Sequence, residues 1–580
     1  MKRYFLLFLL ITVCSFPKAQ DLPKGMTEAE IIMMENYIFP TTERANNFPP
    51  SSSVRAMAEW EEQQAISISW KSYNAVLAEI VRHAQNECRV IINCTDSNSV
   101  KNYLISFGIF PNENVEYLIV NTNSVWIRDY GSYSVYKEDV DSLYLIDWVY
   151  NRPRPLDDVI PQAHANYLNL PLFAMTQSPY KITHTGGNLM FDGFGTAFSS
   201  KLVIDENISF GHDEASIDTI MKQFMGVDRY VKFEVLPHDG IHHIDMHMKL
   251  LDEETLLVGY YPEGVSDGPQ IEANINYLMN NHLSVFGTPY KIVRIPMLPN
   301  QAGNMWPSDG SYYRTYTNGV FVNKSFLYPS YYEKYDTTAY RIYKELLPGY
   351  NIVPIHSDPD PISASGAIHC ITNNIGVADP IVILHQKLSD TYNQSDDYAV
   401  VAMVNHISGI ENLTLFYRTD TLESYTAIPM GMTYSGENMW AGYIPAQEAG
   451  NSIYYYIEAN AVSGKTILRP ITAPAGYWKF DILGTPDAIE EFSRGASVHR
   501  LYPNPAKAIT CVEIEFDKAQ NANIYITDML GKKLEDVHYG EVRQGLQNVF
   551  FDASNLTNGI YFVIIETKQG KSVAKFSVSQ

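Results

Sequence analysis

Two hydrophobic periods alternate between about residues 55 and 385. Stretches 72–85, 215–225, 271–281 and 337–347 carry apolar residues at helical spacing. Each has a strand-like apolar run nearby, such as 89–94 after the first. This alternation predicts an α/β domain over 49–385. From about 390 the helical pattern stops. Runs 398–404, 413–418 and 452–460 are short, aromatic and β-branched, which predicts an Ig-like β-sandwich over 386–484. Residues 485–497 read as a linker. The tail, 498–580, is again β-rich, with strands expected at 512–516, 523–526, 548–551 and 560–565. A hairpin turn is expected at Asn558-Gly559.

The two ends of the α/β region differ from it. Residues 21–48 are polar and aperiodic and run into Pro49-Pro50, so a loosely packed arm or propeptide is expected there. Before them stand Met1-Lys2-Arg3, an apolar run over 4–14, and Phe16-Pro17-Lys18-Ala19-Gln20. That order predicts a secretory signal peptide over 1–20. The run is far shorter than the about twenty residues needed to span a bilayer, and no transmembrane segment is expected later.

Composition narrows the class. The hydrophobic fraction is 46% and the charged fraction 18%, which excludes a disordered chain. The net charge of −23 disfavours nucleic acid as a partner. It suits a cationic substrate, or serves solubility alone. The cysteines are Cys14, Cys88, Cys94, Cys370 and Cys511, too few for a disulfide scaffold and without zinc spacing.

Five chemically capable clusters recur in the α/β region. They are Trp126-Ile127-Arg128-Asp129, Gly186-Gly187-Asn188, His243-Ile244-Asp245, Tyr316-Thr317-Asn318 and Ile368-His369-Cys370. From Asp129 through Asn188, Asp245 and Asn318 to Cys370 the steps are 59, 57, 73 and 52 residues. Such spacing predicts five similar units in a closed array with the clusters gathered at one end.

WIRDYG at 126–131, TGGNLMFDGFG at 185–195, HIDMHMKLL at 243–251, YTNGVFVN at 316–323 and AIHCITNN at 367–374 stand in this order. Together they resemble the guanidine-modifying enzymes of the agmatine deiminase and bacterial peptidylarginine deiminase family. The resemblance covers about residues 50–385 and implies a pentein fold, a five-fold pseudosymmetric α/β propeller. It implies hydrolysis of a guanidinium to a ureido group and ammonia, without metal or cofactor. Such chemistry asks for paired carboxylates to hold the planar cation. It also asks for a soft nucleophile and a proton shuttle. By the resemblance Cys370 is the nucleophile, His243 the shuttle, Asp129 and Asp245 the clamps, and Asn318 a further site residue. Trp126 and Asp192 are expected in support, and Arg128 as a structural ion-pair partner. Nearby cations should favour the Cys370 thiolate.

Alternatives stay open on the residues alone. If 243–247 is a strand, His243, Asp245 and His247 share a face and could hold a metal. Arg152 and Arg154 in Asn151-Arg152-Pro153-Arg154-Pro155 decide the substrate. Agmatine has no carboxylate, whereas a peptide ending in arginine does, and two arginines could clamp it. This segment resembles the peptidylarginine deiminases. Against it, Gly240 stands where the peptide-active relatives carry an aromatic, three residues before His243.

The tail resembles the C-terminal sorting domain of the type IX secretion system. It implies that machinery as a partner, export through the periplasm, and release or attachment at the cell surface. The expectation is a secreted deiminase of arginine in peptides, C-terminal arginine preferred. The alternatives are an agmatine or free-arginine deiminase and an inactive surface adhesin.

Overall fold

The computed structural model of the 580-residue chain describes residues 22–39, 45–434, 438–484, 495–529 and 531–579. The expected signal peptide and most of the expected linker lie outside the described residues. The chain divides into two compact units, 1–482 and 483–580.

The first unit contains five small sheets built to one plan. In three of them a short strand forms an antiparallel hairpin, then a helix leads to a parallel strand. One runs Met190–Phe191, Thr196–Ser200, helix Glu214–Met225, Arg229–Phe233. The next runs Met248–Leu250, Thr255–Tyr260, helix Gly268–Asn281, Lys291–Pro296. A third runs Val320–Val322, Ser325–Ser330, helix Glu333–Leu346, Asn351–His356. The first sheet adds Val54–Ala56 at its edge to Tyr133–Lys137, Ser142–Trp148 and Leu172–Met175. The last joins the two ends of the region: Asn373–Gly376 lies antiparallel to Gln63–Ser69, which is parallel to Arg89–Cys94.

The local chemistry accounts for these elements. Helix Asn74–Ala84 buries Val76, Leu77, Ile80, Val81 and Ala84, one helical face. It lies next in the chain to Gln63–Ser69 and Arg89–Cys94, which are buried at nearly every position because parallel strands are covered on both faces. Helix Glu214–Met225 starts in a capping box between Asp213 and Ser216 and stops at Gly226, which has φ +70°.

Residues 382–481 of the same unit form one continuous eight-stranded sheet. Tyr398–Asn405 alternates strictly, with Tyr398, Val400, Ala402 and Val404 buried on one side. Ion pairs tie it to the five-sheet region: Arg469 to Glu253 at 2.8 Å, Lys465 to Glu62 at 2.7 Å, and Lys387 to Asp252.

The second unit has a three-stranded and a four-stranded sheet around Val512, Ile514, Ile524, Ile526, Val563 and Ile565. The expected hairpin at Asn558-Gly559 is not formed. Gly545–Asp552 pairs with Ile509–Phe516, whereas Gly559–Thr567 pairs with Gln520–Thr527. Asn558-Gly559 therefore ends a crossing between sheets, where an NG pair suits the bend without closing a ladder.

Candidate active site

All five clusters occupy one structural position, just ahead of a strand that pairs antiparallel within its sheet. Ile127–Tyr130 is a single helical turn before Tyr133–Lys137. Gly186–Asn188, Ile244–Met246 and His369–Ile371 are 3-10 turns before Met190, Met248 and Asn373. Asn318 lies in the short link before Val320–Val322. Turns at strand ends can aim side chains inward that a strand would send to alternate faces.

The structure brings Asp129, His243, Asp245, Asn318 and Cys370 together, all fully buried. Asn318 Nδ2 lies 3.2 Å from Cys370 Sγ. Its Oδ1 accepts from the amides of Ala367 and His369 at 3.2 and 3.1 Å, which fixes the turn carrying the thiol. Asp245 Oδ2 is 3.5 Å from Sγ. Asp129 Oδ1 accepts from the Gly187 amide at 3.1 Å and lies 3.5 Å from His243 Nδ1. His243 Nε2 is 3.0 Å from Thr185 Oγ1.

The glycine pair has a steric reason. A Cβ on Gly187 would fall 2.7 Å from His243 Nδ1, 2.9 Å from Asp129 Oδ1 and 3.1 Å from Asp245 Oδ2. On Gly186 it would fall 2.1 Å from the Arg128 carbonyl oxygen. This backbone touches three site residues at once, so a side chain would displace them.

Behind the thiol runs a buried polar chain. His369 Nδ1 is 2.8 Å from Asp245 Oδ2 and its Nε2 is 2.8 Å from Glu59 Oε2. Glu59 Oε1 pairs with Lys249 Nζ at 2.5 Å and accepts from the Phe321 amide at 3.0 Å. Burial alone would raise the Glu59 carboxyl, but Lys249 and His369 outweigh it and hold it below the usual range. Burial and the neighbouring Arg128 and Lys249 lower His369.

The carboxylates of Asp129 and Asp245 are not equivalent. Burial opposes the charge on Asp245, yet Lys24 and His369 hold it far below the ordinary carboxylate range. Burial raises Asp129, and Asp245 across the site adds to that. His243 is pushed well below an ordinary imidazole by burial and Lys24, so it rests neutral. Burial and Asp245 push the Cys370 thiol up to about 12, although Lys24 works the other way. The expected thiolate is thus not favoured at rest. Desolvation and two carboxylates outweigh the cation.

Lys24 is the largest departure from the sequence reading. Part of the arm is packed: Lys24 and Glu30 are buried, although Ile31, Ile32 and Ile38 are exposed. Residues 22–25 run into the site, and Lys24 Nζ lies 2.9 Å from Cys370 Sγ and 3.7 Å from Asp245 Oδ1. Helix Glu28–Met34 follows, started by a capping box between Thr27 and Glu30. A run as short as Leu22-Pro23-Lys24-Gly25 carries no period, so its burial was not legible. Glu59 was missed because Glu59-Trp60-Glu61-Glu62 reads as a solvated acidic stretch.

The remaining expected residues divide. Trp126 donates from Nε1 to the Leu22 carbonyl at 2.9 Å, and Arg152 from Nε to the Lys24 carbonyl at 3.2 Å. Arg154 pairs with Glu30 through Nε at 2.7 Å. Asp192 is not brought into the group. Its Oδ1 accepts from the Phe194 and Thr196 amides, closing the turn between Met190–Phe191 and Thr196–Ser200. Arg128 is held by neutral acceptors, the His369 carbonyl at 3.2 Å and Asn374 Oδ1 at 2.5 Å, and not by the expected ion pair. The metal alternative loses its premise, because Ile244–Met246 is a turn and does not present His243, Asp245 and His247 on one strand face.

A buried thiol, two carboxylates and a neutral imidazole around one point form a site for a cation with an electrophilic carbon. Residues 55–375 match the Porphyromonas-type peptidyl-arginine deiminase family, and residues 500–579 match the secretion system C-terminal sorting domain. The chain belongs to that deiminase family and carries that sorting domain. It is an enzyme of the class that acts on guanidino C–N bonds. It is similar to the agmatine deiminase of Medicago truncatula, 20% identical over 56% of this chain and 97% of the relative. Among solved structures it resembles a C. jejuni agmatine deiminase, at 21% identity and TM-score 0.47, over 56% of this chain and 96% of the other. It also resembles an agmatine deiminase of Enterococcus faecalis, at 15% identity and TM-score 0.49, over 57% and 99%.

Proposed function

We propose that the chain is an exported deiminase that converts arginine in peptides to citrulline, with a C-terminal arginine preferred. The five sheets are then the units of a five-fold pseudosymmetric propeller, followed by an Ig-like domain. The observation that carries the reading is the placing of Arg152 and Arg154 beside a thiol–carboxylate site. Both donate to acceptors on one segment that enters it. Agmatine, which has neither a carboxylate nor a peptide carbonyl, would have no use for them.

In this reading Asp129 and Asp245 hold the guanidinium, whose charge favours loss of the Cys370 proton. Neutral His243 accepts that proton. The sulfur bonds to the guanidinium carbon as the C=N π pair moves onto nitrogen. His243 returns the proton to the departing nitrogen, the C–N bond breaks and ammonia leaves. A covalent thiouronium remains. Water then attacks, giving one proton to His243; as the C–S bond breaks its second proton passes to sulfur, leaving the ureido product and free thiol, and His243 gives up its proton to solvent. Asn318 orients the thiol, and His369 with Glu59 keeps Asp245 charged.

Ammonia release measured side by side on agmatine, free arginine and a peptide ending in arginine tests the substrate. The peptide should be turned over fastest. Preference for agmatine would replace this reading with the agmatine-type alternative.

A further inference from the structure

Lysine and arginine side chains have the same number of atoms up to lysine Nζ and arginine Cζ. Lys24 Nζ, 2.9 Å from Cys370 Sγ, thus marks the place that the guanidinium carbon of an arginine there would take. That is within reach of attack. Lysine offers no electrophilic carbon, so it can occupy the site and not react.

The backbone on either side is held like a bound peptide. The Leu22 carbonyl accepts from Trp126 Nε1 at 2.9 Å. The Pro23 and Gly25 carbonyls accept from the Arg154 guanidinium at 2.9 and 3.0 Å. The Lys24 amide donates to the Ala364 carbonyl at 3.1 Å, and its carbonyl accepts from Arg152 at 3.2 Å. These contacts go to main-chain atoms, so they fix a path and not a sequence. Farther along, both oxygens of Glu30 sit on Arg154 at 2.7 and 3.1 Å, a carboxylate on the guanidinium fork. Burial works against the charge on Lys24, and Asp129, Asp245 and Cys370 outweigh it. The arm thus satisfies the site's cation and anion positions together.

We propose that residues 22–30 are a pseudosubstrate: they lie along the path of a substrate peptide with Lys24 in the place of the arginine, and hold the enzyme latent until the arm leaves. This rests on the deiminase reading above. The Lys24 carbonyl on Arg152 marks where a terminal carboxylate oxygen would lie. The chain continues past it to Gly25, so the same path admits an arginine inside a peptide.

Two variants of the full chain test this. The first is Lys24→Ala, probed with 2-chloroacetamidine, a cationic amidine whose chloride a thiol displaces. Labelling is located on Cys370 by peptide mass. Loss of a charge-assisted contact should speed it about tenfold or more. The second is Lys24→Arg, which should convert its own residue 24 to citrulline with one ammonia released per chain, and not do so when Cys370→Ala is added. Equal labelling of the unsubstituted and Lys24→Ala chains would overturn the proposal. So would an unreacted Arg at position 24 in a chain that deiminates added peptide. Faster labelling of Lys24→Ala, with no ammonia from any guanidine, would uphold the plug and sink the deiminase reading.

Discussion

The floor and the mouth of the site are both built from buried ions, but from different sources. At the floor, Lys249, Glu59, His369 and Asp245 all come from the five-sheet region and are joined in one chain of contacts. At the mouth, Arg154 is paired with Glu30 and Arg152 donates to Lys24, so most of their acceptors come from the arm, with Asn151 and Tyr150 adding to them. The floor holds Asp245 charged through His369, and Lys24 of the arm adds to that. The mouth is satisfied by a segment that precedes the five-sheet region in the chain. Buried charges demand partners in both places, and those partners come from different parts of the chain.

The floor breaks most completely at Cys370→Ala, which should fold normally and release no ammonia. Measurable turnover would remove covalent catalysis from the account. Glu59→Gln takes the carboxylate from both Lys249 and His369. Breaking one partner of a buried ion set costs about 3–5 kcal/mol, so a lowered unfolding midpoint and loss of turnover are both expected. An unchanged midpoint would show that the chain of contacts does not carry the floor.

Gly187→Ala sharpens the comparison by shifting geometry without touching charge. Its Cβ would press on His243, Asp129 and Asp245. A displacement of that kind can cost about 10²-fold in rate. Kinetics should show kcat falling, with the fold retained by circular dichroism.

The mouth should respond more mildly and selectively. In a Lys24→Ala background, where the arm's hold is weakened, replacing Arg152 and Arg154 with alanine should raise KM about tenfold or more for a peptide ending in arginine. Agmatine kinetics should barely move. Equal losses on both substrates would mean that the arginines support the fold.

Stability should also depend on pH. His164, His184 and His247 are fully buried, and burial lowers each to about 4 from an ordinary 6.5. The folded state refuses protons that the unfolded state takes. Their contribution is therefore whole above about pH 6.5 and lost as the pH falls toward 4. The slope is up to about 1.4 kcal/mol per pH unit for each. Urea midpoints at pH 7 and pH 5 measure it, and a pH-independent midpoint would contradict it.

Legibility in the sequence follows the same division. The helices expected at 215–225 and 271–281 are found as Glu214–Met225 and Gly268–Asn281, because one buried face imposes a period over ten or more residues. The expected strand 89–94 is found as Arg89–Cys94 for the same kind of reason. Cys370, Asp129, His243, Asp245 and Asn318 were legible as motifs, and the fold gathers them. Asp192 was misplaced because a turn aspartate and a site aspartate look alike beside glycines. Lys24 and Glu59 were invisible: their burial depends on partners hundreds of residues away, and no local pattern carries that.

The central claim is a bond from Cys370 to the guanidinium carbon. Rapid acid quenching of the Lys24→Ala chain during turnover of a peptide ending in arginine, followed by mass mapping, tests it directly. The account predicts an adduct on Cys370 with the mass of the peptide less ammonia, absent from a chain also carrying Cys370→Ala. Steady ammonia release with unmodified Cys370 at every quench time, or with an adduct on another residue, would contradict it.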